Sequence, residues 1–68
     1  MFQITTLQQQ SFLIYGLGLS GLSVVKFFKK NKIKNFEVWD DKQKKIFKKY
    51  RSKNINFSLN KVDYIIMS

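Results

Sequence analysis

The stretch that most constrains the fold is Tyr15–Gly21, which reads Tyr-Gly-Leu-Gly-Leu-Ser-Gly. It lies between an apolar run, Phe12–Tyr15, and a helix-like segment, Leu22–Lys30. A strand followed by a G-x-G-x-x-G turn and a helix brings backbone N–H groups and a helix N-terminus together, where a nucleotide's phosphates can bind. The alternative is a strand-to-helix turn that holds no ligand.

Each glycine has its own predicted task. Gly16 lets the chain leave the strand through a tight turn, and Gly18 lets a diphosphate approach the backbone. Gly21 is predicted to seat the helix against a sheet. At about 100° per residue, the helix divides into an apolar side (Gly21, Val24, Val25, Phe27, Phe28) and a basic side (Lys26, Lys29, Lys30).

Composition excludes several functional classes. The chain has 68 residues, enough for one small domain, and contains neither Cys nor His. Disulfides, Cys/His zinc sites and His-based acid–base chemistry are therefore excluded within it. No apolar run is long enough to span a membrane, and the first ten residues lack the basic start of a secretory signal. These features favour a cytoplasmic protein.

The formal charge of +9 invites a nucleic-acid interpretation, which we do not favour. Arg51 is the only arginine among 13 basic residues, whereas recognition of phosphates and bases favours the planar fork of arginine. The lysine-rich stretch after Asp41 is more typical of a solvated helix surface. A basic interaction module remains an alternative.

The hydrophobic pattern predicts an α/β fold: a Rossmann-like three-layer sandwich with a parallel sheet, forming an incomplete half of a doubly wound domain. Strands are predicted at about 11–15, 35–40 and 63–68, and helices at about 20–31 and 41–52. A further short extended piece is predicted at 54–58. Residues 1–10 are predicted to be an irregular N-terminal arm, and residues 11–68 the partial domain. Right-handed crossovers would place the first strand centrally, the second beside it and the third beyond.

Two carboxylates follow the second predicted strand. Asp40 and Asp41 come 19 and 20 residues after Gly21, at a strand end that lies beside the glycine loop in this architecture. There they can hold ribose hydroxyls or a base N–H, although Asp41 can equally cap the following helix. Ser20 is likewise either a phosphate contact or a helix cap, and Lys42 either a ligand contact or a solvated lysine. Trp39 is predicted to pack in the core.

No catalytic or metal-binding set of residues is visible in the sequence. Without Cys or His, and with only four acidic residues, there is no nucleophile–base pair and no metal cage. The G-x-x-x-x-G-K-[ST] loop that binds ATP is also missing. The predicted role is binding.

The segments Leu13–Ser23, Val38–Asp41 and Asp63–Ser68 together resemble the opening of the Mur ligases, and within them the enzymes that add D-glutamate to UDP-N-acetylmuramoyl-L-alanine. The resemblance covers about residues 11–68. It implies the N-terminal, UDP-binding part of a cytoplasmic, ATP- and magnesium-dependent ligase of peptidoglycan biosynthesis. The central ATP-binding domain and the C-terminal domain of that ligase would be partners outside these residues, and no cofactor is expected within them.

The resemblance also assigns residues. Leu19 and Ser20, with Gly16, Gly18 and Gly21, would form the diphosphate loop. Asp40, Asp41 and Lys42 would lie around the uracil and its ribose. The main alternative is an NAD(P)-binding Rossmann module of an oxidoreductase or regulatory protein, in which Asp40 would hold the adenosine ribose.

Overall fold

The computed structural model describes residues 4–67, with side chains from residue 6 onward. Its elements are α1 (Ile4–Gln8), β1 (Phe12–Tyr15), α2 (Leu19–Lys30), β2 (Phe36–Trp39), a 3₁₀ turn (Lys48–Tyr50), α3 (Ile55–Lys61) and β3 (Tyr64–Met67). The predicted α/β class and the three predicted strands are confirmed. Residues 1–3 of the predicted arm and Ser68, the predicted end of the third strand, lie outside the described residues.

The three strands form one parallel sheet in the order β2-β1-β3. Tyr15, the last residue of β1, lies opposite Trp39 of β2 and Met67 of β3. The central place predicted for β1 is confirmed. It explains the strand's continuous apolar run, because a central parallel strand is covered on both faces.

The predicted place of the third strand was wrong: β3 pairs with β1 and does not lie beyond β2. The outer side of β2 carries instead a short segment at Arg51, which forms a single parallel bridge with Val38. The next residue, Ser52, donates its N–H to the carbonyl of Val38 at 2.9 Å. Because this segment takes the outer edge of β2, the free edge of β1 is left for β3.

One face of the sheet packs against α2. Gly21, Val25 and Phe28 are the buried residues of this helix, so the seating role predicted for Gly21 agrees with its burial. The ring of Phe28 lies 4.9 Å from that of Phe12 and 5.4 Å from that of Phe36. Together the buried residues of this layer form one core: Phe12, Ile14, Leu17, Val25, Phe28, Ile33, Phe36 and Val38.

The helix α2 closely follows the first predicted helix, running over Leu19–Lys30 where 20–31 was expected. Phe27, at the margin of the predicted apolar arc, is 46% exposed and contributes little to the core. The helix ends with Lys32 in the left-handed region at φ 56°. The N–H of Ile33 donates back to the carbonyl of Phe28 at 2.9 Å, which closes the helix end.

The second predicted helix, over 41–52, was wrong. The 3₁₀ turn is the only helical element in that range, and Phe47 before it adopts a left-handed conformation at φ 53°. A helix here would place Lys44 near Lys48 and Lys45 near Lys49, and like charges four residues apart destabilise a helix. The narrow apolar stripe of this segment does not offset that repulsion.

The helix forms further on, as α3, where a short extended piece was predicted at 54–58. The side chain of Asn54 caps it by accepting a hydrogen bond from the N–H of Phe57 at 3.1 Å. On the sheet face opposite α2, the buried hydroxyl of Ser58 donates to Glu37 Oε1 at 2.8 Å. Ser58 also bonds Ser52, and Lys61 forms an ion pair with Glu37 at 3.3 Å. Helices therefore lie on both faces of the sheet.

The segment predicted as an irregular arm contains the short helix α1. Leu7 packs against the core, and Gln8 donates its side-chain N–H to the carbonyl of Asn31 at 2.9 Å. A domain boundary after residue 10 stays a prediction. Within residues 4–67, no helix has the length and apolar character needed to cross a bilayer.

The strand β3 has an open outer edge, since no strand among the described residues pairs with it there. Its side chains Tyr64, Ile65 and Met67 are exposed, and none of its four residues is charged. The start of the strand is held by Asp63, whose carboxylate accepts hydrogen bonds from the N–H and the hydroxyl of Ser11 at 2.8 and 3.0 Å. The edge is therefore fixed in position and accessible along its length.

Candidate functional site

The candidate site lies at the carboxyl edge of the sheet, where all three strands end together. Tyr15, Trp39 and Met67 stand side by side there, so the segments that follow β1 and β2 meet at this edge. Gly16 leaves β1 with φ 105°, a conformation that residues with a side chain rarely adopt. The tight turn predicted for Gly16 is confirmed by this backbone angle.

The glycine loop leads directly into α2, whose N-terminal cap is Gly18. Among the described side chains, none caps this helix end. Ser20 is the second residue of the helix, so it does not have the capping role that was one of its two predicted roles. A Cβ built on Gly18 would meet no atom within 4 Å. Leu19 is 88% exposed, Ser20 is exposed and Gly21 is buried. The loop thus presents a bare backbone at the positive end of a helix dipole.

Asp40 connects the two loops of this edge. Its Oδ2 accepts a hydrogen bond from the N–H of Leu17 at 2.7 Å, and its Oδ1 accepts from the N–H groups of Lys42 and Gln43 at 2.7 and 2.8 Å. Hydrogen bonds from the N–H groups of Gln43, Leu17 and Lys42, in that order of effect, lower the pKa of the Asp40 carboxyl below its usual range. The carboxylate therefore stays ionised at neutral pH and shapes both loops.

Asp41 is exposed and caps no helix, since the helix predicted at 41–52 is absent from the described residues. Its Oδ1 accepts a hydrogen bond from the indole N–H of Trp39 at 3.0 Å. The prediction that Trp39 packs in the core was wrong, because its ring is only half-buried and lies 4.2 Å from the guanidinium carbon of Arg51. The pairing of Arg51 with Trp39 explains why the ring stays at the surface.

A cleft of about 290 Å³ opens between these loops, lined by Tyr15, Gly16, Asp40, Asp41, Lys42 and Met67. Four of the predicted site residues therefore line one cleft, whereas Gly18, Leu19, Ser20 and Gly21 are not in its lining. Sequence reasoning missed Tyr15 and Met67. Their signal was present, because each is the last residue of a strand that ends at this edge.

A family model described as Mur ligase MurD-like, N-terminal domain, matches residues 10–68. The chain belongs to this family. The match includes every element after α1, together with the glycine loop and the segment at Asp40. Searches of curated proteins and of solved structures gave no match. Mur ligases are ATP-dependent ligases of peptidoglycan biosynthesis, and the matched part is their N-terminal domain.

This MurD-like N-terminal domain has a second cleft, of about 340 Å³, beside the outer edge of β2. Lys49, Lys53 and Lys61 contribute to its lining with the rings of Tyr50 and Phe57. It lies away from the glycine loop and is lined by α3 and the 3₁₀ turn. The convergence of strand ends at the smaller cleft makes that cleft the candidate site.

Metal-ligating side chains do not cluster in the part of the domain that the structure describes: no group of three or more of His, Cys, Asp and Glu forms there. The cleft holds a carboxylate fixed by backbone N–H groups, an exposed carboxylate and a lysine, and the glycine loop that borders it at Gly16 leads on to a helix N-terminus without a side-chain cap. These groups are suited to binding a phosphorylated polar molecule.

Proposed function

We propose that this chain binds the UDP moiety of UDP-N-acetylmuramoyl-L-alanine, as the N-terminal substrate-binding part of a cytoplasmic ligase that adds D-glutamate. The observation that carries the proposal is the Asp40 contact with Leu17, which fixes the glycine loop and the loop after β2 around one cleft. The family match supports the ligase assignment. The chain alone binds and does not catalyse.

The diphosphate is proposed to lie against Gly18, Leu19 and Ser20. The first N–H groups of a helix have no partner within the helix, and they favour negative charge through the helix dipole. The open space at Gly18 leaves room for phosphate oxygens to approach the backbone. Gly16 and Gly21 contribute by shaping the turn and seating the helix.

The uracil and its ribose are proposed to occupy the cleft beside Asp40, Asp41 and Lys42. Asp41 keeps a carboxylate oxygen that the indole of Trp39 does not bind, so it can accept from a base N–H or a ribose hydroxyl. Lys42 brings positive charge to the same wall. Asp40 borders the cleft, and the three N–H donors already bound to its carboxylate favour a role in holding this wall.

The sheet is proposed to be the first half of a Rossmann-like domain. The Arg51 segment, β2, β1 and β3 lie side by side in that order, and the chain reverses its direction of progress between β1 and β3. In open α/β sheets, ligands bind at the carboxyl ends of the strands where this reversal occurs. ATP and Mg²⁺ are proposed to bind to other domains of the ligase.

Titration of the ¹⁵N-labelled chain with UDP tests the proposal. We expect amide shifts at Gly16 to Ser20 and at Asp41 to Gln43, saturating at millimolar UDP. An absence of shifts at these residues would overturn the assignment. A parallel titration with NADH tests the dinucleotide alternative, which tighter binding of NADH than of UDP would favour.

Substitution of Gly18 separates ligand approach from folding. Gly18→Ala adds a methyl group that meets no protein atom, at φ −74° and ψ −165°, which alanine tolerates. We expect unchanged folding and about a tenfold loss of UDP affinity, the effect of losing one phosphate contact. The control is Asn60→Ala, on the exposed side of α3 and outside the cleft, with UDP affinity unchanged.

A further inference from the structure

Arg51 lies beside the candidate site and contacts residues of its wall, but it does not line the cleft. It is the only arginine of the chain, and its single bridge to Val38 sets it against the outer edge of β2. From there its guanidinium makes two contacts. Nη1 donates to the backbone carbonyl of Asp40 at 2.9 Å, and Cζ lies 4.2 Å from the centroid of the Trp39 ring.

These two contacts reach both acidic residues of the cleft wall. The first holds the backbone of Asp40 directly. The second fixes the ring of Trp39, whose indole N–H in turn bonds Asp41 Oδ1 at 3.0 Å. Asp40 then holds the N–H groups of Lys42 and Gln43 with its carboxylate. The whole wall from Asp40 to Gln43 is thus connected to one guanidinium.

A lysine cannot replace this arginine. The guanidinium is planar, so it stacks on an aromatic ring while an N–H in its plane donates a hydrogen bond. An ammonium group is a compact, strongly hydrated charge and does not do both in this geometry. The surrounding sequence is rich in lysine, so the charge of Arg51 alone does not distinguish it from its neighbours.

We infer that Arg51 is a positioning residue for the nucleoside half of the ligand: it holds the wall from Asp40 to Gln43 in its binding shape and does not touch the ligand. The inference rests on the proposed UDP site. The glycine loop also has an anchor of its own besides the contact with Asp40, because the side chain of Leu17 is fully buried in the core. Loss of Arg51 should therefore weaken contacts to uridine and spare those to the diphosphate.

The test compares UDP with inorganic pyrophosphate as ligands for the full chain and its variants. For Arg51→Lys, which keeps the charge, we expect UDP affinity to fall about tenfold, as for loss of a charge-assisted hydrogen bond. Pyrophosphate affinity should change by less than twofold, and the indole N–H resonance of Trp39 should shift. The control Lys53→Met removes a neighbouring charge and should leave both affinities within twofold of the wild-type values.

A second variant covers the case in which Arg51→Lys does not fold, as judged by circular dichroism. Trp39→Phe keeps an aromatic ring for stacking and removes the N–H that holds Asp41, so UDP affinity should fall about threefold with pyrophosphate binding retained. Wild-type UDP affinity in a folded Arg51→Lys or Trp39→Phe variant, or equal losses for both ligands, would overturn the inference and leave the proposed function standing. Absence of UDP binding by the wild-type chain would overturn both.

Discussion

Asp40 Oδ2 accepts a hydrogen bond of 2.7 Å from the backbone N–H of Leu17, which lies 23 positions earlier in the chain. The side chain of Leu17 is fully buried. One residue is therefore anchored in the core by its side chain and joined to the loop after β2 by its backbone. Because the acceptor is a carboxylate, the strength of this connection depends on its charge.

Acid should loosen this connection. The pKa of Asp40 is lower in the folded chain than its ordinary value near 3.9, so the ionised form favours folding above that pH. The contribution is lost as pH falls from about 4 through the lower, folded-state pKa. In urea titrations, Asp40→Asn should lower the unfolding midpoint at pH 7, and its difference from wild type should shrink toward pH 2. Asp41→Asn, an exposed carboxylate, is the control, and a pH-independent difference for Asp40→Asn would contradict the prediction.

Gly16 should not tolerate a side chain. Its φ of 105° is costly for any other residue, so Gly16→Ala should lower the free energy of unfolding by about 1–2 kcal/mol. Gly18→Ala, two positions on, should lower it by less than about 1 kcal/mol, because its backbone is extended, its surroundings are open and only the preference for glycine over alanine at a helix cap is lost. Thermal denaturation of both variants measures this difference in the free energy of unfolding. Equal losses of stability would show that the backbone conformation of Gly16 is not the cause.

Lys32 holds a left-handed conformation at φ 56°, where glycine is the favoured residue after a helix. Lys32→Gly should therefore raise the free energy of unfolding by about 0.5–1 kcal/mol. Lys26→Gly, in the exposed middle of α2, should lower it by about 1 kcal/mol. Chemical denaturation compares the pair, and destabilisation by both substitutions would refute the assigned role of Lys32.

Ser58 joins α3 to the sheet from a buried position. Ser58→Ala should lower the free energy of unfolding by about 1–3 kcal/mol, since Glu37 and Ser52 each lose a hydrogen bond at a buried position. Asn60→Ala, on the exposed side of the same helix, should cost less than about 0.5 kcal/mol. Urea midpoints measure the difference, and a Ser58→Ala midpoint equal to that of the control would show that this contact does not stabilise the fold.

Local patterns predicted the elements whose signals are strong and continuous. The apolar run of β1, the glycine turn and the two-sided pattern of α2 were each sufficient to place an element within one or two residues. The segment after Asp41 was not predictable in this way. Its apolar stripe suggested a helix, whereas repulsion among its lysines and the left-handed Phe47 prevent one, and the Asn54 cap starts the helix later.

The sequence predicted which segments meet at the candidate site, but not the contacts that hold them there. Strand ends at one edge of a parallel sheet gave Gly16, Asp40, Asp41 and Lys42 as neighbours. The contacts of Arg51 with Asp40 and Trp39 depend on a one-residue bridge beyond β2, which leaves no periodic signal in the sequence. The sequence offered one indication of a special role for Arg51, which is that it is the single arginine among the lysines.

The open edge of β3 can pair with a further strand in a parallel or an antiparallel direction. A strand that paired with it in parallel would bring its own carboxyl end to Met67, at the rim of the cleft. The loop after such a strand would then stand where the cleft is now open to solvent. An antiparallel strand would bring its amino end instead, so the direction of a strand that joins this edge decides which of its two ends faces the cleft.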